Sequence, residues 1–388
     1  MQKNYDVVII GGGPAGTAAG ITARNHGLSC CILDKSQFPR KKLCGGLITQ
    51  KTLDLITEIC KDIRLDGLYN FKSNQVEIKN GSNALVDFNV EISLYFTYRE
   101  EFDHLLLKKF EDLGGDVYQS NIQLSLINTT NRSIHLSAYS IHYTYLIGAD
   151  GANSSIRKFL DYDYRSSGFC LEQEIGFGQL KDRNPELVSV YFGVIPNGYG
   201  WVFPKKEGYT VGVGGPESNS LKMKEQLLSF LNTLGIVTDS AKVKGAFIPY
   251  GSFPKRLASD HILLVGDAAG FVDPVNGEGI YFAILSGQKA IQAILDRDQY
   301  DNLEEAYLFK IGLITDIIRQ GNIVHKLLFN PFLGPVLCRI LKGHHTAAAF
   351  FLDNLVSRYN FRYSQFFSLI STYLKEKKSR KDAGKITH

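Results

Sequence analysis

Short runs of apolar residues that end at a glycine recur along the chain. Residues 7–10 precede Gly11, residues 145–147 precede Gly148, and residues 262–265 precede Gly266. An unbroken apolar run of this length is typical of a parallel strand that is covered on both faces. Because a glycine turn and a helical pattern follow each run, we predict three strand–turn–helix units of an α/β fold.

A different pattern occupies residues 72–96 and 166–254, where apolar and polar residues alternate and turn residues are frequent. This pattern predicts antiparallel strands. After residue 302 the spacing of apolar residues is helical. We therefore expect a discontinuous, three-layer Rossmann-like domain, an antiparallel β-sheet domain and a C-terminal helical region with a basic tail. Their predicted bounds are 1–71, 97–165 and 255–300 for the first, 72–96 and 166–254 for the second, and 301–388 for the third.

Composition and charge exclude several classes of protein. Hydrophobic residues make up 44% of the chain and charged residues 21%, as in ordinary globular proteins. The net charge is +4, and the tail from Lys375 to His388 has six Lys/Arg against two Asp/Glu, so residues 1–374 sum to zero. Without a net basic field on the folded part, we expect no nucleic-acid partner. No apolar run reaches the roughly 18 residues of a membrane-spanning helix.

The six cysteines show neither the CxxC spacing of a metal site nor a small disulfide framework. The N-terminus lacks the pattern of an export signal, because Asp6 interrupts its short apolar run. Reduced thiols are then the default state. We expect a cytoplasmic enzyme without a metal.

The first apolar run opens the G-x-G-x-x-G pattern of Gly11, Gly13 and Gly16. The first glycine permits a tight turn, the second lets the backbone approach a diphosphate, and the third lets helix and strand pack closely. Pro14 suits the first turn of the helix, and Ala15 lies in the same turn. The open N–H groups and the dipole at this helix start favour a bound diphosphate.

The second strand, CCILD, ends at Asp34, 18 positions after Gly16. A carboxylate at this place accepts hydrogen bonds from an adenosine ribose. We assign Asp34 and the following Lys35 to the cofactor site. The strand, the glycines and the acid together indicate a bound dinucleotide, but they do not separate NAD from FAD.

Two later stretches favour FAD. Residues 148–151 read Gly-Ala-Asp-Gly, with Asp150, and Gly266 is followed by Asp267. With the G-x-G-x-x-G before them in this order, the chain resembles the FAD-dependent oxidoreductases of the p-hydroxybenzoate hydroxylase fold. The resemblance implies that Asp267 holds ribityl or ribose hydroxyls. It also implies that Arg99, which opens a predicted amphipathic helix, contacts the cofactor.

In this fold the loop of residues 274–279 would run beneath the isoalloxazine ring, and we assign Pro274, Gly277 and Gly279 to it. Backbone N–H groups near Gly279 and Ile280 would face flavin N1 and O2. This placement agrees with the electrostatics, because reduced flavin is negative there and a helix N-terminus offers about half a positive charge.

Two further stretches resemble the geranylgeranyl reductase family. Residues 39–46 match P-x-x-K-x-C-G-G, and residues 199–204 match Y-x-W-x-F-P. The resemblance implies that Cys44 and Gly45 lie beside the flavin and that reduced FAD donates hydride to isolated C=C bonds of a hydrophobic, prenyl-type substrate. The catalytic candidates are Cys44, Tyr199 and Trp201. The candidates for the wall of the substrate pocket are Gly46, Trp201, Phe203, Val211 and Val213.

Reduction of such a bond also needs a proton, and the candidate acids are Cys44 and Tyr199. The alternative for Cys44 is a buried, inert thiol, although the basic residues 40–42 before it would lower its pKa. No second G-x-G-x-x-G is visible. The electron donor is therefore NAD(P)H that visits the same cleft, or a ferredoxin-like carrier.

Alternatives remain open for both the activity and the surroundings of the protein. The same fold would serve an FAD-dependent monooxygenase or a halogenase, although Tyr199 stands where the halogenase motif W-x-W-x-I-P has its first tryptophan. A non-enzymatic flavin redox sensor is the third alternative. Residues 323–345 and the basic tail indicate either packing on the FAD domain or peripheral contact at the inner face of a membrane.

Overall fold

The computed structural model describes residues 2–80, 83–164, 168–216, 220–237 and 242–330, with short pieces at 332–334, 336, 362–364, 368 and 371. For residues 83–92 and 220 it describes the backbone alone. Within these ranges, no helix has the length and apolar character needed to cross a membrane. Residues 337–345 and the basic tail, on which we based the expected membrane contact, lie outside the described residues.

The strands are β1 (Gln2–Ile10), β2 (Cys30–Asp34), β3 (Leu47–Ile48), β4 (Phe71–Asn80), β5 (Asn83–Phe96), β6 (Asp116–Gln119), β7 (Ile127–Asn128), β8 (Ser133–His135), β9 (Ser140–Gly148), β10 (Gly168–Gly176), β11 (Val188–Phe192), β12 (Tyr199–Lys205), β13 (Gly208–Pro216), β14 (Lys244–Ile248) and β15 (Ile262–Leu264). The helices are α1 (Pro14–Asn25), α2 (Gln50–Cys60), α3 (Arg99–Asp112), α4 (Ser220–Thr233), α5 (Ile280–Leu295), α6 (Leu303–Lys310) and α7 (Gly312–Leu328).

The first sheet has seven strands in the order β6-β2-β1-β9-β8-β7, with β15 beside β9. Strands β6, β2, β1, β9 and β15 are parallel, whereas β7 and β8 extend the sheet as antiparallel strands. Helix α1 packs on β1 and β2, and α3 and α5 pack on α1. The unbroken apolar run of residues 7–10 is buried in this arrangement, as expected for an inner parallel strand.

The second sheet has eight strands in the order β14-β10-β13-β12-β11-β4-β5-β3. Its neighbouring strands are antiparallel except for β4 and β11. The apolar side chains of one face pack on α4, and those of the other face form a separate cluster around Trp201 and Phe203. Successive side chains of a strand point to opposite faces, so β10 and β12 contribute to both clusters.

Two details differ from the sequence-based expectations. The helix expected after residues 148–151 is a single 3-10 turn, Ile156–Phe159, and Ser154 Oγ accepts the N–H of Arg157 in this turn at 3.0 Å. Strand β3 joins the second sheet although it lies in the segment that we assigned to the first domain. The domain boundaries stay a prediction.

Candidate active site

The carboxyl ends of the parallel strands β1, β2, β9 and β15 meet at one edge of the first sheet, where ligands bind in open α/β folds. Helix α1 starts there after Gly13, and α5 starts after Gly279; neither first turn has a side-chain cap. The first N–H groups of both helices are thus open to an acceptor. Two uncapped helix starts at one sheet edge form a cradle for anionic groups.

The glycines of the first turn bring backbone segments into direct contact. Gly11 has φ +109°, a conformation that L side chains rarely adopt, and its N–H donates to the Leu33 carbonyl at 2.8 Å. A Cβ atom on Gly11 would overlap the Ala149 carbonyl, and one on Gly16 would overlap the Gly11 carbonyl. The turn therefore requires glycine at both positions, whereas a Cβ on Gly13 would meet little protein.

Asp34 lies beside this turn at the end of β2. Its Oδ2 accepts the N–H of Gly12 at 2.7 Å, and its Oδ1 accepts the N–H of Ser36 at 2.8 Å. The carboxylate is partly exposed, which leaves room for a hydroxyl donor, and the next residue, Lys35, is exposed. The arrangement fits the ribose-binding role expected of Asp34.

Arg40 is a residue whose position the sequence did not reveal. Its Nη2 lies 3.5 Å from the place of a Cβ on Gly13, and it stacks over the Phe38 ring at 4.7 Å. The same atom lies 3.3 Å from Asp103 Oδ2. A guanidinium beside the helix start of a G-x-G-x-x-G turn is suited to a diphosphate. Its place in a run of three basic residues was the only sequence signal.

Arg99 is buried at the start of α3, where Nε and Nη2 donate to the two oxygens of Asp103 at 2.7 and 2.8 Å. Burial opposes its charge, but Asp103 and the Cys44 side chain more than compensate and raise the pKa of Arg99 above its ordinary value. Asp103, with no exposed surface, thus joins Arg40 to Arg99. Arg99 and Lys205 therefore both place a positive charge near the Cys44 side chain.

Cys44 is held between the two sheets. Its N–H donates to Glu172 Oε1 at 3.0 Å, and its Sγ accepts the N–H of Gly46 at 3.3 Å. The next residue, Gly45, lies against the second sheet, since a Cβ there would stand 2.9 Å from Phe203 and 3.6 Å from Trp201 Nε1. The Cys-Gly-Gly stretch therefore passes directly over the aromatic face of β12.

Seven aromatic rings form a continuous row across this face, with neighbouring ring centroids 5.6–6.4 Å apart. In order along the row they are Phe71, Phe96, Phe203, Trp201, Tyr199, Phe192 and Phe329. We call this set the aromatic row. Its middle lies under Gly45, and its far end reaches α7, so the structure brings together Trp201, Phe203 and Tyr199 as expected.

Tyr199 also contacts the loop before α5. Its hydroxyl donates to the Asn276 carbonyl at 2.7 Å. A Cβ on Gly277 would stand 2.6 Å from the Tyr199 hydroxyl oxygen. Burial raises the pKa of Tyr199 above its ordinary value. A phenol that is already donating and holds its proton more tightly is a poor acid, which favours Cys44 of the two candidate proton donors.

The loop of residues 273–279 is built around Asp273, another residue that the sequence analysis missed. Its Oδ1 accepts the N–H groups of Val275 and Asn276 at 2.7 and 3.2 Å, and Tyr363 donates to both carboxyl oxygens at 2.8 Å. Pro274 is buried in this loop and Gly277 is exposed. Asp273 thereby fixes the backbone that leads into Gly279 and Ile280.

Val211 and Val213 do not belong to the site. In β13 they stand opposite Val202 and Gly200 of β12, whereas Thr210, Gly212 and Gly214 stand opposite Phe203, Trp201 and Tyr199. Opposed residues of antiparallel strands share a face. Both valines therefore pack in the cluster under α4, and their assignment to the pocket wall was wrong.

The remaining expected cofactor residues fall into two groups. Asp267 is partly exposed, and its Oδ2 lies 3.6 Å from Lys42 Nζ. By contrast, Asp150 accepts from Ser154 Oγ at 2.5 Å and from the N–H of Ser155 at 2.6 Å. Gly266 adjoins Ala15. The structure gives Asp150, Gly266 and Ala15 local packing roles, and a contact of these three residues with the cofactor stays a prediction.

Two buried carboxyls make stability depend on pH. Burial raises the pKa of Glu172 from 4.5 to about 7 and that of Asp273 from 3.8 to about 6. Both groups bind a proton more tightly in the folded state, so they stabilise it at low pH, and this stabilisation is lost as pH rises through these values. At 1.36 kcal/mol per pKa unit, each carboxyl accounts for about 3 kcal/mol between roughly pH 4 and pH 8.

The measurement is urea unfolding of the cofactor-free protein over this pH range, with Glu172→Gln and Asp273→Asn as the test variants. We expect the stability of each variant relative to the wild type to rise with pH by about 3 kcal/mol. If the free energy of unfolding changed with pH in the same way for the wild type and both variants, the raised pKa values of Glu172 and Asp273 would be contradicted. Glu186→Gln, at an exposed position before β11, is the control and should leave the pH dependence unchanged.

Comparison with known proteins supports FAD binding. A family model for the FAD binding domain matches residues 4–293. The chain is 31% identical over 320 residues to the chloroplast geranylgeranyl diphosphate reductase of Nicotiana tabacum, covering 76% of this chain and 67% of that protein. It is 29% identical to the digeranylgeranylglycerophospholipid reductase of Methanosarcina acetivorans, and the alignment covers 79% of this chain and 80% of that protein.

A solved structure shares the fold over nearly the whole chain. It is a geranylgeranyl bacteriochlorophyll reductase-like protein from Thermoplasma acidophilum, 20% identical, with a TM-score of 0.76. The alignment covers 95% of this chain and 100% of that one. The Rossmann-like fold predicted from the glycine-terminated apolar runs is thereby confirmed.

Proposed function

Because the chain belongs to the geranylgeranyl reductase family of FAD-binding proteins, we propose that it reduces isolated C=C bonds in the prenyl chain of a lipid or related isoprenoid. It is an FAD-dependent oxidoreductase. The single observation that carries the proposed substrate class is the aromatic row, which gives the Cys44–Gly45 segment an apolar floor of several ring widths.

The residues of the sheet edge fit FAD. The uncapped start of α1 and Arg40 would take the diphosphate, and Asp34 would take the adenosine ribose. Asp267 would hold ribityl hydroxyls, and the start of α5 would face the pyrimidine end of the flavin. Arg99 and Gly45 would lie beside the ring. When bound and reduced, FAD supplies a hydride.

The protein's own part is to hold the alkene dry and to supply a proton. Trp201 and Phe203, both less than 10% exposed, exclude water from the middle of the aromatic row. An isolated alkene has no carbonyl to accept charge, so proton delivery must accompany hydride addition. The Cys44 thiol is the acid we propose, since it lies above the row and beside the helix start of Arg99.

The test is anaerobic turnover of the FAD-loaded protein with prenyl diphosphates and prenyl glycerol lipids. We expect a mass gain of two hydrogens per reduced bond. Cys44→Ala should lower the rate by about 100-fold, the low end of the range for a lost general acid. Cys60→Ala, which removes a buried thiol on α2 with a pKa raised by burial to about 12, is the control and should keep full activity. Unchanged turnover in Cys44→Ala would make that thiol structural.

The same assay separates the electron donors and the alternative activities. Turnover with NADPH alone would identify the nicotinamide as donor, whereas turnover that needs a reduced ferredoxin would identify the carrier. Mixing the reduced protein with oxygen tests the monooxygenase: a flavin C4a adduct with hydroxylated product would replace the present proposal. A halide-dependent product would favour the halogenase, and flavin binding with no turnover would favour the redox sensor.

We keep cytoplasmic localisation with peripheral membrane contact as part of the proposal. The membrane contact is supported by exposed apolar side chains after α7, with Phe332 83% and Val336 51% exposed. Such side chains favour an interface of lipid and water. Sedimentation with anionic vesicles tests the contact, and full recovery of the protein in the supernatant would exclude it.

A further inference from the structure

Glu172 is a buried carboxyl that the proposed chemistry has not used. It lies on β10 with 5% of its surface exposed. Its Oε1 accepts the backbone N–H of Cys44 at 3.0 Å, so the carboxyl contacts the main chain of the proposed acid. Its Oε2 is fully buried and has no hydrogen-bond partner among the described residues. A carboxyl in this state is costly unless it is protonated or receives a further partner.

Two more buried polar atoms lack partners among the described residues on the same face, namely Trp201 Nε1 and Thr210 Oγ1. Glu172 stands opposite Gly212, and Gly212 stands opposite Trp201, so Glu172 and Trp201 share a face. Because Gly212 has no side chain, the indole of Trp201 lies over the Gly212 backbone. Gly212 stands between Trp201 and Glu172 in the sheet. The apolar wall therefore contains one polar patch, and it adjoins Cys44.

Among the residues that the structure describes, no charged group forms a direct ion pair with Glu172. Lys205 of β12 and Lys244 of β14 favour its charged form, whereas Glu174 of its own strand opposes it, and Cys170 lies on the same strand. The ammonium of Lys205 donates to the Thr97 carbonyl at 2.6 Å. Burial outweighs these charges and raises the pKa of Glu172 to about 7, so a proton is both held and exchangeable near neutral pH.

We propose that Glu172 stores the proton consumed in the reduction and passes it to Cys44. This inference rests on the proposed function. Reduction of one C=C bond adds a hydride to one carbon and a proton to the other, and the cofactor supplies the hydride with both electrons. The thiol of Cys44 gives its proton to the second carbon. The resulting thiolate takes the carboxyl proton of Glu172, whose carboxylate then regains a proton from water.

Glu172→Gln tests this role with little change of shape, since the amide oxygen still accepts the N–H of Cys44 but holds no acidic proton. With prereduced, FAD-loaded protein and a prenyl diphosphate probe, we expect reprotonation to limit repeated turnover and the steady rate at pH 7 to fall by about 100-fold. The wild-type rate should fall as pH rises above about 7, and the variant should lose this dependence. Glu172→Asp should restore part of the rate. Glu186→Gln, at an exposed position outside this cluster, is the control and should behave as wild type.

A second measurement reads the proton directly. Infrared spectra should show a protonated carboxyl band in the wild-type protein that disappears near pH 7 and is absent in Glu172→Gln. A variant as fast as wild type, or a wild type without that band, would overturn the inference. If wild-type protein reduces no prenyl probe at all, the proposed function fails and the inference fails with it. Active wild type with an equally active Glu172→Gln variant removes the inference alone.

Discussion

Replacing Gly16 with alanine is expected to destabilise the protein by about 3 kcal/mol and to yield colourless preparations, because overpacking of this kind is costly when nothing can move aside. A Cβ atom there would overlap the Gly11 carbonyl oxygen and would stand 3.1 Å from the Ile9 side chain. The first obstacle is backbone, and Gly11 is itself fixed in the left-handed region by the turn. Helix α1 would have to move away from β1, and the diphosphate cradle would be lost with it.

The matched control is Gly13→Ala, three positions earlier in the same turn. A Cβ there meets only the Arg40 guanidinium at 3.5 Å, so the cofactor-free protein should keep wild-type stability. The new methyl group would instead occupy the space through which a diphosphate approaches, and FAD affinity should fall by at least tenfold. Urea unfolding of the cofactor-free proteins and FAD titration separate the two effects. Equal stability of Gly16→Ala and wild type would contradict the packing argument.

Arg99→Met should have the next largest effect. Arg99 makes two charge-assisted hydrogen bonds to Asp103, and Asp103 has no exposed surface. Removing one partner of a buried pair costs about 3–5 kcal/mol because the remaining charge is left without compensation. Arg40, whose Nη2 lies 3.3 Å from Asp103 Oδ2, still compensates part of the Asp103 charge in the variant. We therefore expect a destabilisation at the lower end of that range. The measurement is the free energy of unfolding in urea.

The double variant Arg99→Met/Asp103→Leu distinguishes a lost charge partner from lost packing. Since it removes the buried negative charge as well, it should recover most of the stability that the single variant loses. We expect the double variant to bind flavin more weakly than the wild type, because Arg40 then has no carboxylate to hold it over Gly13. A double variant no more stable than the single one would show that packing, and not charge, is the main contribution of Arg99.

Local patterns predicted much of the fold. The glycine-terminated runs predicted the parallel strands. Helix α5 starts at Ile280, which agrees with the helix N-terminus predicted near Gly279 and Ile280. The faces of β13 were misjudged because its apolar residues alone do not say which side faces the site. In retrospect, the alternation of Gly212 and Gly214 with Val211 and Val213 was the signal: the small residues leave room for the ring of Trp201.

Contacts between distant parts of the chain were beyond the sequence. Cys44 and Glu172 are 128 positions apart, and only the strand order of the second sheet brings them together. Arg40, in the loop after β2, likewise pairs with Asp103 of α3, although the two residues are 63 positions apart in the sequence. A single sequence carries no record of such pairs, because neither partner alters the local pattern of the other.

The chain has one tryptophan among its 388 residues, and it stands in the middle of the aromatic row, beside Gly45. The protein thus carries a single intrinsic indole fluorophore at the place where chemistry is proposed. Its emission intensity and lifetime would report flavin occupancy by energy transfer and substrate arrival by quenching, in real time and without a label.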